Sequence, residues 1–149
     1  MNRWLLSILI FWTALAAAQD DPPAAVKKTF SKLFNHANNT EYWEADGFFE
    51  VNFSIDGTQK IARISESGEW IETLTYLGEK ISDANLDKAA KLHCPGSSIK
   101  TVTMIEKPGP AVFYDITAET DEKACKIRLS ADGTLVSSQQ YTIEETDEE

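Results

Sequence analysis

Phe48-Phe49-Glu50-Val51-Asn52-Phe53-Ser54-Ile55-Asp56-Gly57 is the stretch on which the fold turns. Phe49, Val51, Phe53 and Ile55 alternate with Glu50, Asn52 and Ser54. A period of two is what a strand with one buried face requires. Asp56-Gly57 then forms a two-residue hairpin signal, since both residue types accept the positive φ such a turn needs. The returning strand covers residues 60–65 with Ala62 and Ile64 inward, and Ser67-Gly68 turns the chain into a third strand over 70–77. Ahead of the quoted stretch lie the turn Asp46-Gly47 and a short segment around Tyr42-Trp43.

Further back, Asp21-Pro22-Pro23 reads as a helix start, an acidic cap followed by proline in the first turn. Val26, Phe30, Leu33 and Phe34 recur at helical spacing with Lys27, Lys28 and Lys32 opposite, and Asn38-Asn39-Thr40 is expected to stop the helix. The layout then returns about 65 residues on: Asp56 answers to Asp121, Arg63 to Arg128, Ser65 to Ser130, Gly68 to Gly133 and Tyr76 to Tyr141. Ile64 matches Leu129, Trp70 matches Leu135 and Ile71 matches Val136, apolar on apolar, so the matched positions read as hairpin turns and inward strand residues. In the second half Ser82 and Asp83 cap a helix through Leu86, Ala89, Ala90 and His93, which Pro95-Gly96 ends. Strands follow over 99–107, through Val112, Tyr114 and Ile116, through Cys125, Ile127 and Leu129, and over 135–143, with turns at Pro108-Gly109-Pro110 and Asp132-Gly133.

These elements predict an α+β fold, a tandem repeat of two helix-plus-antiparallel-strand units over about 21–78 and 79–143. Side by side they would form one broad sheet, with both helices on one face and the other face open. Phe48, Glu50 and Asn52 in the first unit, and Phe113, Asp115 and Thr117 in the second, fall on the open side. Phe48 and Phe113 are large apolar residues at positions the alternation sends to solvent. Exposed aromatics in polar surroundings mark partner surfaces; cover by a sheet edge or by the junction of the units is the alternative. Trp43, beside Tyr42 and the Asp46-Gly47 turn, is a further surface anchor if it is not core, whereas Trp70, matched by Leu135, points to partial burial.

The N-terminus has the three parts of a secretory signal. Arg3 supplies the basic region, residues 4–15 an uncharged apolar run, and Ala16-Ala17-Ala18 the small residues of a cleavage site. The run is short for a membrane span, which needs about 20 residues. Residues 1–18 are therefore expected to be a signal, 19–143 one domain, and 144–149 an acidic disordered tail. Of 14 basic residues, losing Arg3 leaves 13 against 24 acidic ones, a formal charge of −11 for the mature chain. That balance repels phosphate backbones and anionic lipid, so nucleic acid is excluded as a partner and no membrane span is expected after cleavage.

Chemistry is sparse. Cys94 and Cys125 are the two cysteines, one at a helix end and one facing inward on a strand, where they could meet. A disulfide suits an exported chain; two separate buried thiols, acting as small hydrophobes, are the other reading. His36 and His93 both fall near helix C-termini, where an imidazolium complements the helix dipole. No phosphate loop, nucleophile elbow or zinc motif is found in the sequence. No enzyme activity, cofactor or metal is expected, and the Asp-Gly pairs are accounted for as turns.

Several of these residues resemble the PepSY-like, β-lactamase-inhibitor-protein-like periplasmic proteins of Bacteroidetes. They are Pro22-Pro23-Ala24-Ala25-Val26 through Phe30 and Phe34, Trp43-Glu44, and Gly68-Glu69-Trp70-Ile71-Glu72-Thr73 in the first half. Pro95-Gly96, Ile99, Val102, Ile105-Glu106 and Ser130-Ala131-Asp132-Gly133-Thr134-Leu135 carry it in the second. Asn35 departs from the pattern, where the family tends to have proline. The resemblance implies a curved sheet with helices on one side, export to the periplasm or beyond, and no catalytic residues. It further implies that Asp46 stands nearest to the acidic turn residue which the inhibitor places in its target enzyme. The function expected is a non-catalytic module binding another protein or an envelope component through the open sheet face, with Trp43, Asp46, Phe48 and Phe113 as binding residues. Inhibition or regulation of a secreted hydrolase or peptidase through Asp46 and Trp43 is the alternative.

Overall fold

The structure, a computed structural model, describes residues 21–143; the expected signal and acidic tail lie outside the described residues. The elements run α1 (Ala24–Leu33), β1 (Asn38–Ala45), β2 (Phe48–Ile55), β3 (Thr58–Ser65), β4 (Trp70–Gly78), α2 (Ala84–His93), β5 (Ser98–Glu106), β6 (Val112–Glu119), β7 (Lys123–Ser130) and β8 (Leu135–Thr142). All eight strands form one antiparallel sheet in chain order, open at β1 and β8. The architecture is α+β.

Cross-strand register fixes the faces, because directly opposed residues point the same way. Val51 faces Ala62, and Ala62 faces Thr73; Val102 faces Ile116, and Ile116 faces Ile127. Thr75 pairs with Met104, which pairs with Tyr114, so the same side continues from β4 to β7. Both helices cover this side. Beneath α1, Val26 and Phe30 pack with Phe49, Val51, Phe53, Ala62 and Ile64. Beneath α2, Leu86, Ala90 and Cys94 pack with Val102, Ile116, Ala118, Cys125, Ile127 and Leu129. Cys94 and Cys125 form a disulfide, with their Cα atoms 6.3 Å apart, inside the range that a bridge needs.

Turn chemistry sets the register. Asp56 and Gly57 both have positive φ, 50° and 77°, as a tight hairpin matched to strand twist requires. Gly68, at φ 89°, lies so close to α1 that a β-carbon there would stand 2.9 Å from the carbonyl oxygen of Ala25. Thr29 Oγ1 donates to Gly68 O at 2.6 Å, tying the β3–β4 turn to the helix. At Gly133, in the turn before β8, the nearest atom is Asn85 O on α2 at 3.6 Å.

Three sequence expectations need correction. Asp21 does not cap α1: Pro23 is the N-cap without a side-chain bond, and the Asp21 carboxylate instead takes Lys27 Nζ at 2.6 Å. Asp83 does cap α2, accepting from the backbone N–H of Asn85 and Leu86. Asn38-Asn39-Thr40 does not stop the helix, which ends at Leu33 with Phe34 as its C-cap; it opens strand β1, with a register shift between Asn38 and Glu41 where Asn39 takes φ 52°. Ile71 and Val136 are not core. The pairing passes from Arg63↔Glu72 to Ile64↔Trp70, and from Arg128↔Ser137 to Leu129↔Leu135. Each is therefore the extra residue of a bulge, and both are exposed. Leu135 is exposed too, although its counterpart Trp70 is half-buried and donates from Nε1 to Thr73 Oγ1 at 2.9 Å.

Candidate functional site

The sheet face away from the helices is uncovered across most of its breadth, and its residues come from the alternate positions of every strand. One row runs Trp43, Glu50, Arg63, Glu72 across β1 to β4. The next runs Asn52, Ile61, Leu74, Ile105, Phe113, Ser130 across β2 to β7. A third runs Tyr76, Thr103, Asp115, Arg128, Ser137 across β4 to β8. Ile105 is only 4% exposed although no helix covers it; it sits between Leu74 and Phe113 at the junction of the two halves.

Charges on this face are tied across strands. Arg63 donates from Nε to Glu50 Oε1 at 2.9 Å and from Nη1 to Glu72 Oε1 at 2.6 Å, and Lys107 Nζ reaches Glu72 Oε2 at 3.5 Å. Burial works against the Arg63 charge, but the bonds from Glu72 and Glu50 outweigh it and hold the guanidinium pKa above its ordinary value. Its guanidinium carbon also lies 5.7 Å from the Phe48 ring centroid, a cation–π distance. Further along, Arg128 grips Asp115 with Nε and Nη2, each at 2.6 Å. The Asp115 bonds raise its pKa, burial opposes them, and the more distant Glu72 adds to the rise.

Trp43, Asp46 and Phe48 belong to a single hairpin. Trp43 is 38% exposed on β1, Asp46 is exposed in the β1–β2 turn, and Phe48 is half-buried at the start of β2. Phe113 stands apart on β6, half-buried. With neighbouring strands about 4.8 Å apart, four strand spacings from β2 place it roughly 19 Å away. Phe48 and Phe113 are thus part of the open face, each partly covered by neighbours on that face. Two further aromatics join them, Tyr76 opposite Thr103 and Tyr141 opposite Ala124, both exposed. Their signal was present in the sequence as one of the 65-residue matches. The arginines of the ion-pair ladder were matched in the same way, but their acidic partners carried no such mark, because those are set by register between strands.

His36 follows α1 and is exposed, and His93 closes α2. Gln140 Nε2 donates to the His93 carbonyl at 3.5 Å. Both histidines therefore lie at helix ends, away from the open face. Among the described residues, no helix is long and apolar enough to cross a membrane.

No protein-family model matches the sequence, and no curated protein matches it either. Solved structures do. A DUF2874 family protein from Bacteroides ovatus superposes with a TM-score of 0.73 at 25% identity, covering 81% of this chain and 89% of its own. A BLIP-like protein from Bacteroides fragilis gives 0.74 at 18% identity, with 87% and 93% covered. A "putative periplasmic" protein from Bacteroides eggerthii gives 0.73 at 16%, with 83% and 91% covered. The chain thus shares the fold of BLIP-like Bacteroides proteins over nearly the whole of their length.

Proposed function

We propose that this protein is an exported, non-catalytic module that binds another protein or an envelope component through the open face of its sheet. One observation carries the reading: aromatic side chains are distributed over the face that no helix covers. Trp43, Phe48, Tyr76, Phe113 and Tyr141 lie there with Arg63 and Arg128, and aromatics and arginine are the residues that protein interfaces favour. Trp43, Asp46, Phe48 and Phe113 are the binding residues we assign. Export is supported by the N-terminal apolar run ending in Ala16-Ala17-Ala18 and by the name given to the B. eggerthii neighbour; the periplasm or the exterior is the expected location. The absence of catalysis is supported by the two histidines standing at helix ends, remote from that face. We also read the chain as a duplicated unit related to PepSY-like proteins, on the matched turns, bulges and arginines of its halves.

The test is capture from an envelope fraction with the purified protein as bait. A specific partner should be retained by the parent and lost on Phe48→Ala plus Phe113→Ala, with thermal melts confirming that the variant is folded. Retention undiminished by that variant counts against the open face.

A second reading, inhibition or regulation of a secreted hydrolase or peptidase, is favoured by the exposed pair Trp43 and Asp46 on one hairpin and by the BLIP-like neighbour. A panel of peptidases and β-lactamases whose rates are unmoved by micromolar protein would end it.

A further inference from the structure

The two halves of the open face differ at corresponding positions in a way that leaves one half electrostatically unfinished. In the first half Arg63 stands between Glu50 and Glu72, and Lys107 completes the set. Two bases meet two acids. In the second half Arg128 spends Nε and Nη2 on Asp115, and Nη1 has no hydrogen-bond partner among the described residues. Its cross-strand neighbour is Ser137, where the first half has Glu72. One row further, the apolar pair Ile61↔Leu74 is answered by Lys126↔Gln139.

Lys126 has no carboxylate partner among the described residues; it lies 5.5 Å from the Tyr141 ring centroid. Arg128, Lys126, Asp115, Thr117, Ser137 and Gln139 line a depression of about 370 Å³. Two cations against one carboxylate leave it a net positive charge, in a chain whose formal charge is −10. A cation with an unused donor, beside a second cation and two neutral hydrogen-bonding side chains, is a receptor for one more carboxylate. The strong negative charge of the whole molecule disfavours a polyanion at the same place.

Building on the open-face reading, we propose that this depression binds a single carboxylate side chain of a partner protein. The ligand takes the place that Glu72 fills in the first half. Arg128 Nη1 and Lys126 Nζ are its charged donors, and the hydroxyl of Ser137 and the amide of Gln139 its neutral ones.

The probe is N-acetyl-glutamate N-methylamide, titrated into the full chain and followed by NMR of backbone amides and arginine Nε–H groups. Shifts are expected at Lys126, Arg128, Ser137 and Gln139 and not at Arg63, with no response to the uncharged glutamine analogue. Ser137→Glu, on an exposed strand, should supply the missing acid from within and weaken the probe about tenfold or more; Lys126→Gln should weaken it less. A silent titration, equal response to the glutamine analogue, or undiminished binding by both variants overturns the site. Tighter binding on removal of residues 144–149 would assign it to the chain's own acidic end instead of a partner. Failure here and failure of the open-face reading are separable. Probe binding without a partner lost on Phe48→Ala plus Phe113→Ala breaks only the latter, and the reverse result breaks only the former.

Discussion

The two halves hold helices of equal length, ten residues each, over the same face of one sheet, yet they fill the space beneath in different ways. Under α1 the filling is aromatic. Phe30 meets Phe53 edge-on at 5.0 Å, Phe34 lies 4.7 Å from Phe53, and Tyr42 approaches Phe30 at 5.9 Å. Under α2 the corresponding positions hold Ala90, Cys94 and Ala118. Phe34 and Cys94 even share a role, each capping its helix with a backbone N–H to the residue four back, Phe30 and Ala90 respectively. Where large rings are replaced by small side chains, apolar area is lost, and the Cys94–Cys125 bridge stands in that place. The lesson is that the geometry of a helix on a sheet is indifferent to its means of attachment. Ring packing lowers the energy of the folded state, while a cross-link acts mainly by restricting the unfolded one.

That contrast can be broken at several points. Phe53→Ala should cost about 3–5 kcal/mol, the range for truncating a buried phenylalanine, and hydrogen exchange should show α1 and β1–β3 opening before β5–β8. Cys94→Ser with Cys125→Ser should cost on the order of 3–4 kcal/mol for a loop of 31 residues, with the opposite order of opening. Equal loss of protection in both halves for either variant would show that the two cores melt as one.

Gly68→Ala and Gly133→Ala put the same strain at φ 89° and 85°, about 1–2 kcal/mol each. Only Gly68→Ala also drives a methyl into the Ala25 backbone. Chemical denaturation should rank it clearly the worse, and equality would mean α1 shifts freely. Arg63→Ala, which strands Glu50 and leaves Glu72 with Lys107 alone, should cost roughly 1–2 kcal/mol, whereas Arg128→Ala, half-exposed with one partner, should cost under about 1 kcal/mol.

The smallest effect concerns the turns before β4 and β8. Asp132 is held below its ordinary carboxyl pKa of 3.8 by the Ser130 hydroxyl and by bonds from Thr134; the matching residue is uncharged Ser67. Because the folded pKa is the lower one, the stabilisation is present above the unfolded pKa and is lost as pH falls through the folded value. Asp132→Ser should therefore be slightly less stable than the parent at neutral pH and converge with it in acid, as melts across pH would show.

Much of the fold was legible because period-two alternation runs through most of β2, β6 and β7, with Phe48 and Phe113 as its apolar exceptions, and because Asp56-Gly57 demands a tight turn. β1 was not. Its sequence NNTEYWEA is polar, and as an edge strand it packs the half-buried Tyr42 against the core beneath α1, with the acidic Glu44 on the same side. Ile71 and Val136 misled because each is the extra residue of a bulge, which the matching of apolar positions between the halves does not show. For the candidate site, the aromatics at Trp43, Phe48 and Phe113 were visible as apolar residues at outward positions. The cradle around Arg128 was not, since it depends on which residue of β8 lies opposite and on what that residue lacks relative to Glu72.

The strand order β1 to β8 along the sheet follows the order in the chain without a crossover. For a chain delivered through a narrow pore with its N-terminus leading, this makes assembly a matter of arrival. Each new strand finds its partner already waiting, and the vacant edge is always the one that the next strand to arrive will fill. In such a delivery the α1 half would settle on its rings before Cys94 emerged. When Cys125 follows, the sequence offers an oxidant no third thiol with which to mispair.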